Sequence, residues 1–273
     1  MTTSIDGHRL QLDPRYVELS HGRTRYIEAG DGYPTILLHG VDYTAAGDRW
    51  ALTVDALSTR FRAIAPDFVG WGTGDRFDRE YSFAYLTDFV REFQDALGIE
   101  KSNIVGHSMG GWIASLLAYE SPERVNKLVL VASGGVSTRT LKEMTEFSPP
   151  GEDEIRAFLT SIFGPRRVDL DQFTAGDVAK MQVPGALQAY RKILRHMNDA
   201  ENRKRYNTLR RLPHIKAPSL VVWGADDTVN PREFGEEIER RIPSARLEVL
   251  EGCGHFIAQQ CPEQLNRLLL EFL

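Results

Sequence analysis

Short apolar runs without polar alternation recur along the chain: Thr35–Leu38, Phe61–Ala65, Asn103–Val105, Lys127–Val131, Ser219–Trp223 and Leu247–Leu250. Such runs predict strands covered on both faces, as in a parallel sheet. Arg15–Leu19 and Arg23–Glu28 flank Ser20-His21-Gly22 and predict two strands joined by a tight turn. Between the runs the period changes. Phe83, Leu86, Phe89, Val90, Phe93 and Leu97 recur at three- and four-residue spacing, which predicts a helix over Ser82–Leu97 closed by Gly98. Trp112–Tyr119, Pro231–Arg241 and the segment from Pro262 onward also read as helices. Alternating strand and helix is the signature of an α/β fold built from crossover units.

That alternation stops after Gly134. From Val136 to Leu212 no strand-like run occurs, and charged, helix-favouring segments such as Glu152–Ile162 and Ala186–Met197 stand between prolines 149, 150, 165 and 184. The simplest division is an α/β core over 1–134 and 213–273, interrupted by a helical insertion over 135–212.

Composition narrows the function. The 273 residues are 42% hydrophobic and 26% charged, with a net charge of −5, and the basic surplus of a nucleic-acid binder is missing. No apolar run approaches the ~18 residues needed to span a bilayer. Nor has the first stretch, MTTSIDGHRLQLDP, the apolar segment of a secretory signal; a cytoplasmic protein is expected. The only cysteines, Cys253 and Cys261, are expected to be reduced. With no CxxC or HExxH pattern, neither metal nor cofactor is implied.

The chemistry gathers around NIVGHSMGGWIA. GHSMG fits G-x-S-x-G between a strand and a helix, the setting in which a sharp turn lifts a serine hydroxyl off the sheet edge. So tight a turn strains Ser108 toward positive φ, and Gly106 and Gly110 leave room for it. A hydroxyl needs a base, and the base needs an orienting group. His255, in GCGHF after the last strand, suits the base. Of the others, His8, His21, His196 and His214 lie in polar or cap-like segments and are expected at the surface, while His39 and His107 suit loop shaping and packing. The loop of WGADD offers the acid, with Asp226 and Asp227 equally placed. Two amides should form an oxyanion hole: Met109 after the serine, and Val41 after the pliant His39-Gly40.

LLHG, PDFVGWGTGD, GHSMGG, WGADD and GCGHF, in this order, resemble the α/β-hydrolase superfamily over essentially the whole chain. The resemblance implies a mostly parallel, doubly wound sheet with the insertion as a helical cap, and it selects Asp227 as the acid of a Ser108–Asp227–His255 triad. Within the superfamily the texture is most similar to the meta-cleavage product hydrolases, which cut a carbon–carbon bond in vinylogous diketo acids; GCGHFIAQQCPEQLNRLLLEFL, VASGG and VPGALQAY carry the likeness. The chain departs from that group in having VDYTAAGDRW after its HG, His107 before the serine, Phe256 after the histidine, and no clear cap arginine near Thr174–Val183. These departures favour hydrolysis of a small carboxylic ester, such as an aromatic monoester, through an acyl-enzyme. Carbon–carbon hydrolysis of a dienoic diketo acid is the alternative, and a non-catalytic small-ligand receptor on the same fold is a third reading. His39, Gly40, His107, Trp112, Phe163 and Phe256 are candidates for substrate contact, with Trp71 and Met144 as further apolar linings. The basic stretch Arg203, Lys204, Arg205, Arg210, Arg211 reads either as a solvated helix face or as a receptor for a substrate carboxylate. The expected partner is a small carbonyl compound; whether the chain forms a homo-oligomer stays open.

Overall fold

The computed structural model describes residues 2–5, 8–166 and 168–273. A small antiparallel pair, β1 (Thr2–Ile5) and β2 (His8–Gln11), precedes the main sheet. That sheet contains β3 (Arg15–Leu19), β4 (Gly22–Ala29), β5 (Tyr33–Leu38), β6 (Phe61–Pro66), β7 (Ser102–His107), β8 (Val125–Val131), β9 (Ser219–Gly224) and β10 (Ala245–Leu250). Its eight strands run in the order β10-β9-β8-β7-β5-β6-β4-β3. Only β3–β4 and β4–β6 pair antiparallel; the rest is parallel.

Unbroken apolar strands follow from the layering. Ile36 and Leu38, Ile104, Leu128 and Leu130, and Val221 and Trp223 face one side, joining α2 (Phe83–Ala96), α3 (Met109–Glu120) and α9 (Arg232–Arg241) in one core cluster. The alternate residues Leu37, Val105, Val129 and Val131, Leu220 and Val222 face the other side, with α1 (Ala51–Leu57) and α11 (Pro262–Phe272). Side chains on a strand alternate faces, so two apolar faces require an uninterrupted apolar run. The predicted helix over Ser82–Leu97 forms as α2, with the Ser82 hydroxyl accepting from the Tyr85 amide as N-cap.

Between β8 and β9 lie five helices: α4 (Lys142–Thr145), α5 (Glu152–Phe163), α6 (Leu170–Met181), α7 (Ala186–Asn198) and α8 (Ala200–Tyr206). A buried charge network ties this helical segment to the sheet side. Asp177 of α6 accepts from Arg49 Nη2 at 2.8 Å, from Lys180 Nζ at 2.9 Å and from the Thr44 hydroxyl at 2.8 Å. Lys180 also reaches Asp48 at 3.2 Å, and Arg25 bridges Asp48 and Asp67. Burial opposes the Asp177 charge, but Arg49 and Lys180 outweigh it and hold its pKa below the ordinary carboxylate range.

Three expectations need correction. Cys253 and Cys261 are joined as a disulfide, their Cα atoms 6.1 Å apart. The loop after β10 and the short α10 (Ile257–Gln260) fold the chain back within eight residues, and both cysteines are buried in one cluster. His21 is not a surface residue: it is buried on Tyr85 and bonded to Glu92. His196 is partly buried, its Nε2 accepting from the Phe83 amide at 3.0 Å. The side chain of His8 lies outside the described residues.

Candidate active site

Ser108 sits where β7 passes directly into α3, with φ 53° and ψ −113°, in the region L-residues rarely occupy. The strain is over-determined by its surroundings. The Ser108 amide donates to the Val131 carbonyl at 3.0 Å, and its carbonyl accepts from Trp112 and Gly134. A Cβ on Gly106 would stand 2.4 Å from the Gly110 carbonyl oxygen, and one on Gly110 would stand 2.3 Å from that of Leu38. Both glycines are demanded by backbone packed on backbone.

The parallel sheet brings distant segments to this edge. Asp227 follows β9 and His255 follows β10, so adjacent strand ends carry the acid and the imidazole. His255 Nδ1 donates to Asp227 Oδ2 at 2.9 Å. Asp227 Oδ1 accepts from the amides of Val229 at 2.8 Å and Asn230 at 2.9 Å. Burial raises the pKa of Asp227, yet the His255 bond and charge and the two amides more than offset it, and the pKa is held below its ordinary range. Asp226, which chemistry alone left level with Asp227, is exposed, and its amide donates to the Cys253 carbonyl.

Ser108, His255, Gly40, Val41, His107, Met109, Trp112 and Phe256 line one cavity of about 450 Å³. Among the described residues no hydrogen bond holds the Ser108 hydroxyl, and neither the Val41 nor the Met109 amide is bonded to another protein group. Two unbonded amides on the cavity wall that also holds Ser108 are donors of the kind that can receive a developing oxyanion. Gly40 is close-fitted here too, since a Cβ on it would lie 2.9 Å from His107 Nδ1 and 3.1 Å from Ser108 Cβ.

His107 donates from Nε2 to the His255 carbonyl at 2.8 Å, and its ring lies 4.8 Å from that of His255. Burial, then the nearby His255 charge, pushes its pKa down to about 3, so the ring is neutral with a bare Nδ1. His39 and Phe163 are placed elsewhere. His39 is fully buried, donating from Nδ1 to the Gly40 carbonyl at 2.8 Å and accepting from the Phe68 amide at Nε2. With both nitrogens committed, it braces two loops and leaves substrate contact to its neighbours. Phe163 packs on Phe173 and Leu159 inside the helical segment, away from the cavity. Trp71 is held by the Asp42 carbonyl, outside the cavity, whereas Met144 lines it.

Sequence reasoning missed Asn230, Phe234 and Met197 on the cavity wall. Only Asn230 carried a signal, lying three residues after the acid; its side chain donates to the Ala132 carbonyl and ties the acid loop to the end of β8. Among the described residues no cluster of three or more His, Cys, Asp or Glu could hold a metal, and no helix is long and apolar enough to cross a membrane.

Comparison with known proteins places the fold in a family. Residues 35–268 match the model of the alpha/beta hydrolase family. The chain is 31% identical, over 100% of its length and 99% of the relative's, to a 2-hydroxy-6-oxononadienedioate/2-hydroxy-6-oxononatrienedioate hydrolase of Paraburkholderia phymatum. It is also 31% identical to a 2-hydroxymuconate semialdehyde hydrolase of Pseudomonas putida, over 92% of this chain and 90% of the other. Among solved structures, a meta-cleavage product hydrolase variant (CumD) from Pseudomonas fluorescens, complexed with acetates, superposes with a TM-score of 0.81 at 28% identity, covering 96% of this chain and 98% of the other.

Proposed function

Because the chain belongs to the alpha/beta hydrolase family, we propose that it is a serine hydrolase that cuts the carbon–carbon bond beside a keto group in a hydroxy-oxo-dienoic acid. Two things support this reading over the ester preferred from sequence. Relatives similar over nearly their whole length are named as hydrolases of such acids, and a dicarboxylic member is among them. The observation that carries the chemistry is the His255–Asp227 bond opening on the cavity that holds Ser108.

In this reading Asp227 fixes the imidazole with its proton on Nδ1, which turns bare Nε2 toward the serine side. His255 takes the Ser108 proton as Oγ adds to the keto carbon, and the amides of Val41 and Met109 hold the oxyanion. The departing carbon must first become an electron sink by ketonisation of the dienol. Its proton then comes from His255, and water activated by the same ring releases the acyl group. Helices α4 to α8 act as the cap that closes the cavity over the substrate.

Ester hydrolysis is the second reading, favoured by His107 and Phe256 beside the triad and by a site that already holds all an ester requires. Mixing the protein with a yellow 2-hydroxy-6-oxo-hexadienoic acid separates the readings. The proposal expects catalytic bleaching that vanishes in Ser108→Ala. Turnover of 4-nitrophenyl butyrate without bleaching moves the function to esters. Absence of both, with ligand binding retained, leaves the receptor reading.

A further inference from the structure

Of the five basic residues near the end of the helical segment, one differs from the rest. Arg203, on α8, is 5% exposed and lines the Ser108 cavity. Its guanidinium lies 5.9 Å from the ring of Trp112, which follows Ser108 by one helical turn. Its polar contacts are weak and neutral: the Ser137 carbonyl at 3.4 Å from Nη1 and the Met144 sulfur at 3.8 Å from Nη2. Nε has no partner, and among the described residues no carboxylate pairs with this cation. Three other buried cations, Arg25, Arg49 and Lys180, each face carboxylates; among the described residues Arg211 also lacks one, but it donates to the Asn207 carbonyl at 2.8 Å and lies off the Ser108 cavity. Asp42, an acid on the cavity wall, is already taken by Arg49 and Thr44.

A buried guanidinium without a counterion is unfavourable in the free protein, since burial disfavours its charged form and its donors go unsatisfied. A carboxylate entering the cavity would remove that penalty through paired N–H···O bonds. Around it the wall is apolar, with Trp112, Met144, Met197 and Phe234. We propose that Arg203 is the receptor for a carboxylate carried on an apolar arm of the substrate, remote from the carbonyl that Ser108 attacks, so that the enzyme selects anionic over neutral substrates. The proposal rests on Ser108 as the reacting group and not on which bond is cut.

The test uses the mono-4-nitrophenyl esters of succinic, glutaric and adipic acids against their methyl-capped, uncharged counterparts. For at least one chain length the intact enzyme should prefer the anion at least tenfold in kcat/KM. Arg203→Met should bring that ratio toward one, chiefly through KM, Arg203→Lys should keep part of it, and Arg205→Met, an exposed neighbour, should leave it as it is. In parallel, calorimetry on Ser108→Ala with the three free dicarboxylates reads binding without turnover. At least one should bind, and adding Arg203→Met should weaken it at least tenfold. Equal anion and neutral rates in the intact enzyme, or dicarboxylate affinity indifferent to Arg203, overturns the proposal. Loss of all turnover with Arg203-dependent binding intact would instead count against the hydrolase reading while upholding this one.

Discussion

Replacing Asp227 by asparagine tests the orientation of the catalytic base with almost no change in shape. Oδ1 of Asp227 accepts from two amides, Val229 and Asn230, and Oδ2 accepts from His255 Nδ1. Asparagine has one acceptor and one donor end, so one of these partners must lose. If the NH2 faced the two amides, two N–H donors would lose their acceptor, the partly buried one of Asn230 at about 1–3 kcal/mol and the exposed one of Val229 at less. The carbonyl therefore stays on the amides and the NH2 faces His255. The ring answers by moving its proton to Nε2, and in that tautomer it cannot take a proton from Ser108. The expected fall in kcat is about 10³–10⁴-fold, which corresponds to about 4–5.5 kcal/mol of barrier. Hydrolysis of 4-nitrophenyl butyrate measures it, with thermal unfolding showing that the fold survives. Asp226→Asn is the control, because that side chain is exposed. A loss below tenfold in Asp227→Asn, or an equal loss in Asp226→Asn, refutes the assignment of the acid.

Three further outcomes follow from the packing and the charges. Gly110→Ala drives a Cβ into the Leu38 and His39 carbonyls at 2.3 and 2.6 Å, neither of which can yield; its urea midpoint should report a loss of about 3 kcal/mol or more. Gly98→Ala, at φ +66° but in open space, should lose only about 1 kcal/mol, and equal costs would show that crowding is not the reason for Gly110. Asp177→Ala removes the carboxylate that Arg49 and Lys180 share and leaves them only Asp42 and Asp48; a loss of about 1.5–3 kcal/mol is expected by denaturant titration, whereas Asp177→Asn, which keeps an acceptor, should lose less. His107, with its pKa down near 3 against about 6.5 unfolded, binds fewer protons folded than unfolded between those values. Its contribution is whole at pH 7 and is lost as pH falls from about 6.5 toward 3, at about 1.4 kcal/mol per pH unit; His107→Asn should flatten the urea-midpoint profile in that window by about one proton.

The sheet was readable because its chemistry is local. An apolar run such as Lys127–Val131 has to be a doubly covered strand, and the spacing of Phe83 through Leu97 has to be a helix. The helical segment was less readable: α6 carries Asp177 and Lys180 on the face it buries, so its polar inward side hides the apolar stripe that marks α2. Cys253 and Cys261 show another limit. Their pairing depends on how α10 folds back on the strand end, which two isolated cysteines eight residues apart do not announce. Asp226 and Asp227 were indistinguishable by composition; the family resemblance pointed to Asp227, and the loop after β9 turns that carboxylate to His255. Arg203 was one basic residue among five until its burial on the wall of the Ser108 cavity set it apart.

Three imidazoles stand close to Ser108, and their partners divide the work among them. His39 has its Nδ1 on a carbonyl and its Nε2 on an amide, so it has no free lone pair and no reason to titrate. His107 has given its proton to the His255 carbonyl and lies in surroundings that keep it neutral, so it can accept a hydrogen bond at Nδ1 but is too weak a base to draw a proton from serine near neutral pH. His255 alone combines a carboxylate on Nδ1 with an Nε2 uncommitted among the described residues. A carboxylate favours the imidazolium that must form when the serine proton arrives, and neither of the other rings has one in hydrogen-bond contact. The sequence neighbour of the nucleophile is thus excluded as base by its environment. Its bond to the His255 carbonyl holds the loop that carries His255, so in the proposed mechanism His107 serves by fixing where the base stands.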